Sequence, residues 1–316
     1  MIASRFVAWM WGSSLMIFGA GLVSAQDYPS RPIRIVTSAP GGGTDFASRQ
    51  IAPELASSLG QNVIVENRAG GAVQVFQAQP NGHTLLLAGT VFWIEPLFQK
   101  VSYDPVKNFL PVGLVSRQPL ILVVHPSLPA KSIKELVALA KAKPGILNYS
   151  SAGTGSSGHL AGELLKVLAG VNIVRIPYKG GGPAMNDLIA GQVQMYFSNA
   201  ASVMPHVKSG RLNALAVTSA QPSILVPGLP TVASAVPGFE TGAMQGVFVP
   251  AGTPAAIINR LNQEIVRVIN KADVKERFFN AGVEAVSSSP AEFGAMVKSD
   301  IARTAKLIRD ADIRVD

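Results

Sequence analysis

What most constrains this chain is an order of elements that recurs along it. A short apolar run leads into a loop of glycine and small hydroxyl residues, and then into helical spacing. Residues 33–36 form such a run; Pro40, Gly41, Gly42, Gly43, Thr44 and Asp45 follow, with helical spacing over 46–59. The order returns at 148–151, with glycine and serine over 152–158 and a helix over 159–168. It returns again at 171–177, with glycine at 180–182 and a helix to 190. Apolar runs of this length bounded by Gly and Pro read as strands, and strands alternating with helices read as parallel βαβ units. Thr44 or Asp45 is the expected cap of the first helix and Gly60 its stop. Pro53 lies inside that helix, where it removes a hydrogen bond and should kink the chain.

Two further runs, 120–125 and 246–249, fall between what would otherwise be separate blocks. The expected fold is α/β with two lobes, each a mainly parallel sheet flanked by helices. The lobes are joined by two hinge crossings, near 120–126 and 243–250. One lobe takes 26–122 with 247–316, the other 123–246, and a cleft lies between them.

The first 25 residues read differently. Arg5 precedes an apolar stretch over 6–23, and Val23-Ser24-Ala25 places small residues just before Gln26. That is a secretory leader with cleavage after Ala25. The stretch also reaches the lower length limit of an uncleaved anchor. Gly12, Ser13, Ser14 and Gly19 dilute it and favour cleavage. No later segment is long and apolar enough to span a bilayer.

Hydrophobic residues make up 48% and charged residues 15%, so the chain buries a large core and is not disordered. Cysteine is absent, which excludes disulfides, thiolate metal sites and thiol nucleophiles. The formal charge is +8, but no run of Lys or Arg exceeds two residues. Nucleic acid is therefore not expected as a partner, and a solvated basic surface is the leading reading of the charge.

In open parallel sheets, ligands sit where strands end and helices begin. Glycine lets the backbone approach closely, and the free N–H groups of a helix start favour an anion. Two facing helix starts would hold a carboxylate or phosphate without any arginine. The candidate contacts are Pro40, Gly41, Gly42, Gly43, Thr44 and Asp45 in the first loop and Thr90 after the run at 85–88. Ser151, Gly155, Ser156, Ser157 and His159 come from the second loop, with Gly180 and Ser198 beyond it. Asp45 and His159 read first as capping or supporting groups. Phe92, Trp93 and Phe98 read as core.

Enzyme signatures are weak. Gly153, Gly155 and Gly158 match the spacing of a dinucleotide loop. The next strand, however, ends in Arg175 to Lys179 without the acid that would hold a ribose. G-x-S-x-G, P-loop and H-E-x-x-H patterns are absent, so no catalytic residue, metal or cofactor is expected. A secreted hydrolase using Ser156 or Ser157, and a ligand sensor for a membrane signalling partner, remain the alternatives.

Several stretches together resemble one family. They are Tyr28-Pro29-Ser30-Arg31-Pro32-Ile33, Pro40-Gly41-Gly42 with Thr44-Asp45, Val65-Glu66-Asn67-Arg68 and Tyr103-Asp104-Pro105. Further along come His159-Leu160-Ala161-Gly162-Glu163, Pro177-Tyr178-Lys179-Gly180, Gly210-Arg211-Leu212 and Pro250-Ala251-Gly252-Thr253-Pro254. In this order and spacing the chain resembles the Bug-type extracytoplasmic solute receptors of tripartite tricarboxylate transporters. The resemblance implies a monomeric periplasmic Venus-flytrap receptor without catalysis. It implies a small carboxylate ligand, membrane permease subunits as partners, and ligand contacts in the loop at 40–45, after Thr90 and over 151–157. Two departures stand out: the segment 69–80 is shorter than in the family, and Ser198-Asn199 stands where many members carry an acid. The second makes an amino-acid ligand less expected.

Overall fold

The computed structural model describes residues 28–313 apart from 39, 69 and 154. The leader and its cleavage after Ala25 lie outside the described residues. In the first lobe, strands β1 (Ile33–Thr37), β2 (Val63–Asn67) and β3 (Thr84–Gly89) run parallel in the order β2-β1-β3. The antiparallel strand β9 (Gly242–Pro250) follows, and then β4 (Phe109–Val124). In the second lobe, β5 (Asn148–Ser151), β6 (Val174–Pro177) and β7 (Met195–Asn199) run parallel in the order β6-β5-β7. There β4 is the antiparallel strand, with β8 (Asn213–Val217) beyond it. Both lobes thus share one plan, each borrowing its antiparallel strand from a chain crossing. The short strand β10 (Glu284–Ala285) pairs β4 from the far side.

The crossings run side by side. β4 pairs β9 from Phe109 to Pro119, then pairs β7 from Leu120 onward. Leu120 N–H donates to Thr218 Oγ1 at 2.8 Å, and Thr241 N–H to Thr218 O at 3.0 Å. Thr218 thereby pins both crossings at one level. Pro119 lies opposite Gly242, where a Cβ would stand 2.9 Å from Gln118 O. The two strands approach that closely because position 242 has no side chain.

β4 begins well before the expected 120–125. Pro111, Gly113 and Pro119 punctuate its first half and hide its period in the sequence. The ladder accommodates them with register shifts between Pro111 and Gly113 and between Leu114 and Ser116.

Helices cover the sheets: α1 (Gly43–Leu59), α2 (Gly71–Phe76), α3 (Thr90–Ile94), α4 (Ile133–Ala142), α5 (Ser157–Ala169), α6 (Gly181–Ile189), α7 (Ala200–Lys208), α8 (Ala255–Ile269), α9 (Ala272–Asn280) and α10 (Pro290–Asp310). In α1 the residues Ala47, Ile51, Ala52, Leu55 and Leu59 are buried, a helical stripe against the sheet. Pro53 falls on its exposed face, and the helix continues past it to Leu59. Gly60 ends α1 in the left-handed region at φ 69°, as expected. The expected start is corrected. α1 begins at Gly43 with Gly42 as its cap, and neither Thr44 nor Asp45 is that cap. α10 opens on Ser289 and Pro290 with a reciprocal Ser289–Glu292 capping box.

One core cluster packs α1, α8 and α9 on the outer face of the first lobe, with Ile35, Ile51, Leu261 and Phe278 fully buried. Another fills the second lobe around Ile121, Leu188, Met185 and Val203. A third runs through both lobes, joining Trp93, Phe248 and Phe293 to Tyr149, Phe197 and Phe239. No helix among the described residues is long and apolar enough to cross a membrane.

Candidate functional site

The first loop leads into α1 from the end of β1. Gly41 is left-handed at φ 77°, a conformation glycine adopts without strain. Gly42 then enters the helix with no side-chain cap, so the first amides of α1 have no side-chain acceptor among the described residues. Asp45 turns inward instead of facing the cleft. Its buried carboxylate accepts from Gly41 N at 2.9 Å, Arg49 Nε at 2.9 Å and Asn67 Nδ2 at 2.8 Å. Burial pushes its pKa up, but the bonds from Gly41, Asn67 and Arg49 outweigh this and hold it below the ordinary value. Asn67 also donates to Ser38 O at 2.7 Å, tying the end of β2 to the loop. Asp45 shapes the loop and consumes the Gly41 amide.

The second loop leads into α5 from the end of β5. Ser156 is the cap of α5: its hydroxyl donates to Gly153 O at 2.8 Å and accepts from His159 N at 3.3 Å. His159 returns the bond, its Nδ1 accepting from Gly155 N–H at 3.0 Å. Burial, and then the charge of Arg175, push the His159 pKa down to about 4, so the ring is neutral at pH 7. Ser151 is fully buried, and its hydroxyl accepts from Arg175 Nε at 2.8 Å. A serine nucleophile needs a base on its hydroxyl. The bonds of Ser156 go to main chain, and the accepting nitrogen of His159 is held by Gly155.

Two cavities that share Val91 lie beside these loops, one at each. One of about 290 Å³ brings together Thr90, Gly155, Ser156 and Ser157, closed on the far side by Asp300 and Arg303 of α10. The other, of about 400 Å³, is lined by Gly43, Thr44, Arg68, Tyr103 and Gln245. Val91 at the start of α3 faces both. The structure therefore places these candidate residues in two neighbouring hollows. Pro40, Gly41, Gly42, Asp45, Ser151, His159, Gly180 and Ser198 line neither. Gly180 caps α6 at φ 136°, and Ser198 lies in β7 opposite Ile121. Thr90 is held in place, its hydroxyl accepting from Met244 N–H at 2.9 Å.

Sequence reasoning missed Arg68, Gln245, Asp300 and Arg303 as cavity residues. Arg303 and Asp300 bond at 2.6 Å, Trp93 Nε1 donates to Asp300 at 2.8 Å, and Arg303 also lies 3.5 Å from Glu240. Arg68 pairs with Glu66 at 2.6 Å. Each cavity thus carries a guanidinium that already has a carboxylate partner. Gln245 is buried at 8% exposure, and its Oε1 finds no hydrogen-bond partner among the described residues. Such an orphan costs about 1–3 kcal/mol. Only its position beside a strand crossing could have singled it out in the sequence. Among the described residues no group of three or more His, Asp or Glu is placed to hold a metal ion.

A two-lobe α/β architecture in which the starts of α1 and α5 line two neighbouring cavities is that of a periplasmic-type binding protein. Residues 47–313 match the family model described as the tripartite tricarboxylate transporter family receptor, and the chain belongs to that family of solute-binding receptors. It is 36% identical over 306 residues to protein BugT of Bordetella pertussis, covering 94% of each chain. Among solved structures, it is similar to Rpa4515 of R. palustris with adipate. That likeness has a TM-score of 0.72 and 33% identity, over 91% of this chain and 99% of the other. It is also similar to a TctC solute-binding protein from Polaromonas described with no ligand, at TM-score 0.83 and 28% identity, over 89% of this chain and 99% of that one.

Proposed function

We propose that this chain is exported to the periplasm, its leader removed after Ala25. There it captures a small organic carboxylate between its lobes and delivers it to the membrane subunits of a tripartite tricarboxylate transporter. The observation that carries the reading is the uncapped start of α1. Its first amides lie beside a cavity lined by Gly43 and Thr44. A helix start presents aligned N–H donors and the positive end of the helix dipole, which together favour a carboxylate. The start of α5, with Gly155, Ser156 and Ser157 on the neighbouring cavity, supplies the opposing wall. The family supports the transport role, and the adipate held by the R. palustris relative supports the ligand class.

We place the hinge where β4 exchanges β9 for β7, at 119–120, and where β9 begins beside it, at 241–242, close to the lobe divisions expected after 122 and 246. The better superposition on the Polaromonas receptor without ligand (0.83) than on the adipate-bound one (0.72) supports an open cleft. Closure would bring the two cavities together, because a ligand touching both lobes binds the closed form better.

Ser156→Asp tests the site. Asp caps a helix as well as Ser, so the fold is retained, while a fixed negative charge enters the cavity. Titration calorimetry with the best binder from a panel of mono-, di- and tricarboxylates should show affinity falling more than tenfold, with the melting temperature held. Unchanged affinity would place the ligand elsewhere, and a panel without any binder would remove the carboxylate reading itself.

A further inference from the structure

We propose that the end of the second lobe remote from the cleft is a docking surface for an anionic lipid bilayer, which holds this receptor at the membrane while its cleft stays free. The inference goes beyond the carboxylate reading and does not depend on what the cleft binds. From the proposed export it takes only the presence of a membrane.

Strand polarity fixes which residues meet at that end. β4 runs away from the crossings into the second lobe, and its last residue, Val124, lies opposite Met195 and Asn213. Those two residues open β7 and β8, and β5 and β6 run parallel to β7. All four strands therefore start at one pole, whereas Ser151, which leads to the second loop, ends β5 at the other. Gly145 N–H donates to Asn172 O at 2.9 Å and His125 N–H to Gln194 O at 3.1 Å, so the connections are tied to one another there. Those connections are 125–147, 170–173, 191–194 and 208–212.

They carry Lys131, Lys134, Lys141, Lys143, Lys208 and Arg211, all exposed, against the single acid Glu135. None of these cations is ion-paired among the described residues, and Glu135 accepts from the Lys131 main-chain N–H at 2.7 Å. Most cations of the first lobe, by contrast, have carboxylate partners, as in Arg267–Glu264 and Lys271–Glu54. No two of the cations at the pole adjoin in the sequence; the fold gathers them. Ile146 stands 64% exposed in the same connection, three residues after Lys143.

Anionic headgroups attract clustered Lys and Arg without demanding the bidentate geometry of a built ion pair. An exposed aliphatic side chain beside such a cluster enters the headgroup layer. A protein partner fits less well, because protein interfaces are depleted in lysine and enriched in aromatic residues. Here every cation but Arg211 is lysine, and the four connections contain no Phe, Tyr or Trp.

The test is co-sedimentation of the protein with vesicles at low salt. Wild type should bind vesicles of equal parts phosphatidylglycerol and phosphatidylcholine at least about tenfold more tightly than phosphatidylcholine alone, and added salt should release it. Lys134→Glu with Lys141→Glu and Lys143→Glu should bring binding to the anionic vesicles down to the neutral level. Lys100→Glu with Lys275→Glu and Lys298→Glu, exposed positions of the first lobe, changes the net charge equally. That variant should stay within about threefold of wild type. Equal binding of wild type to both vesicles overturns the proposal. An equal loss in both triple variants overturns it as well, since net charge alone would then explain the attraction. Wild type that ignores lipid but is retained by vesicles carrying the transporter's membrane subunits also overturns it and points to a protein partner instead. Should the triple variant of the pole not fold, Lys141→Glu and Lys143→Glu singly decide, each expected to weaken binding about threefold. Every outcome leaves the carboxylate reading untouched.

Discussion

At the scale of single residues, the loops are built partly by side chains that take up amides of the same loop, Gly41 by Asp45 and Gly155 by His159. Asp45 and His159 entered as candidate ligand contacts, and the structure turns each against its own loop. His159 titrates in a readable way. Its folded pKa, about 4, lies below the ordinary 6.5 because burial disfavours the cation. The unfolded chain therefore binds the proton first. The stability from the neutral ring is complete above about pH 6.5 and is lost as the pH falls from there through about 4, a difference of about 3 kcal/mol. His159→Gln can still accept from the Gly155 amide but does not titrate. Urea unfolding at pH 7.5 and pH 4.5 should show a smaller loss of stability in the variant than in wild type. An equal loss would assign the acid sensitivity to other groups, Asp45 among them.

That helices begin near Gly43 and Ser157 was legible at this scale because helix starts announce themselves by glycine, serine and threonine, whereas Gly41 and Gly42 line neither cavity. Gln245 was not legible. Nothing in its sequence neighbours says that its strand would be hemmed in on both sides, or that its amide would meet the bare Cα of Gly43.

At the scale of elements, periodicity recovered most strands and helices, since alternating apolar runs must be buried whatever the tertiary detail. The first half of β4 escaped it. Pro111, Gly113 and Pro119 look like turn residues, and only the pairing with β9 makes that stretch a strand. The start of α1 was expected too late, because Thr44 and Asp45 resemble caps, whereas glycine at 42 and 43 leaves the helix start open. The hinge is an element-scale feature with a direct test. A Cβ at Gly242 would stand 2.9 Å from the carbonyl of Gln118 across the paired crossings. Gly242→Ala should cost about 1–3 kcal/mol in urea unfolding, since strand backbone and not a flexible side chain must yield. A neutral effect would show that the crossings are looser than their register implies.

At the scale of the whole molecule, two lobes on one plan exchange strands, so that each sheet is completed by a segment passing through the other. That arrangement makes a hinge of two paired strands, pinned at Thr218, and sets the starts of α1 and α5 near the same gap. The order of the elements was legible because parallel βαβ units leave few alternatives. The splitting of the cleft into two hollows across Val91 was not, because it depends on how the lobes stand to one another.

A crystal structure of the protein with its best-binding carboxylate tests the central claim most directly. The account predicts ligand carboxylate oxygens about 3 Å from main-chain nitrogens at the start of α1, with the start of α5 closing from the other lobe. A ligand seated away from these helix starts, or held by arginine side chains alone, would contradict it.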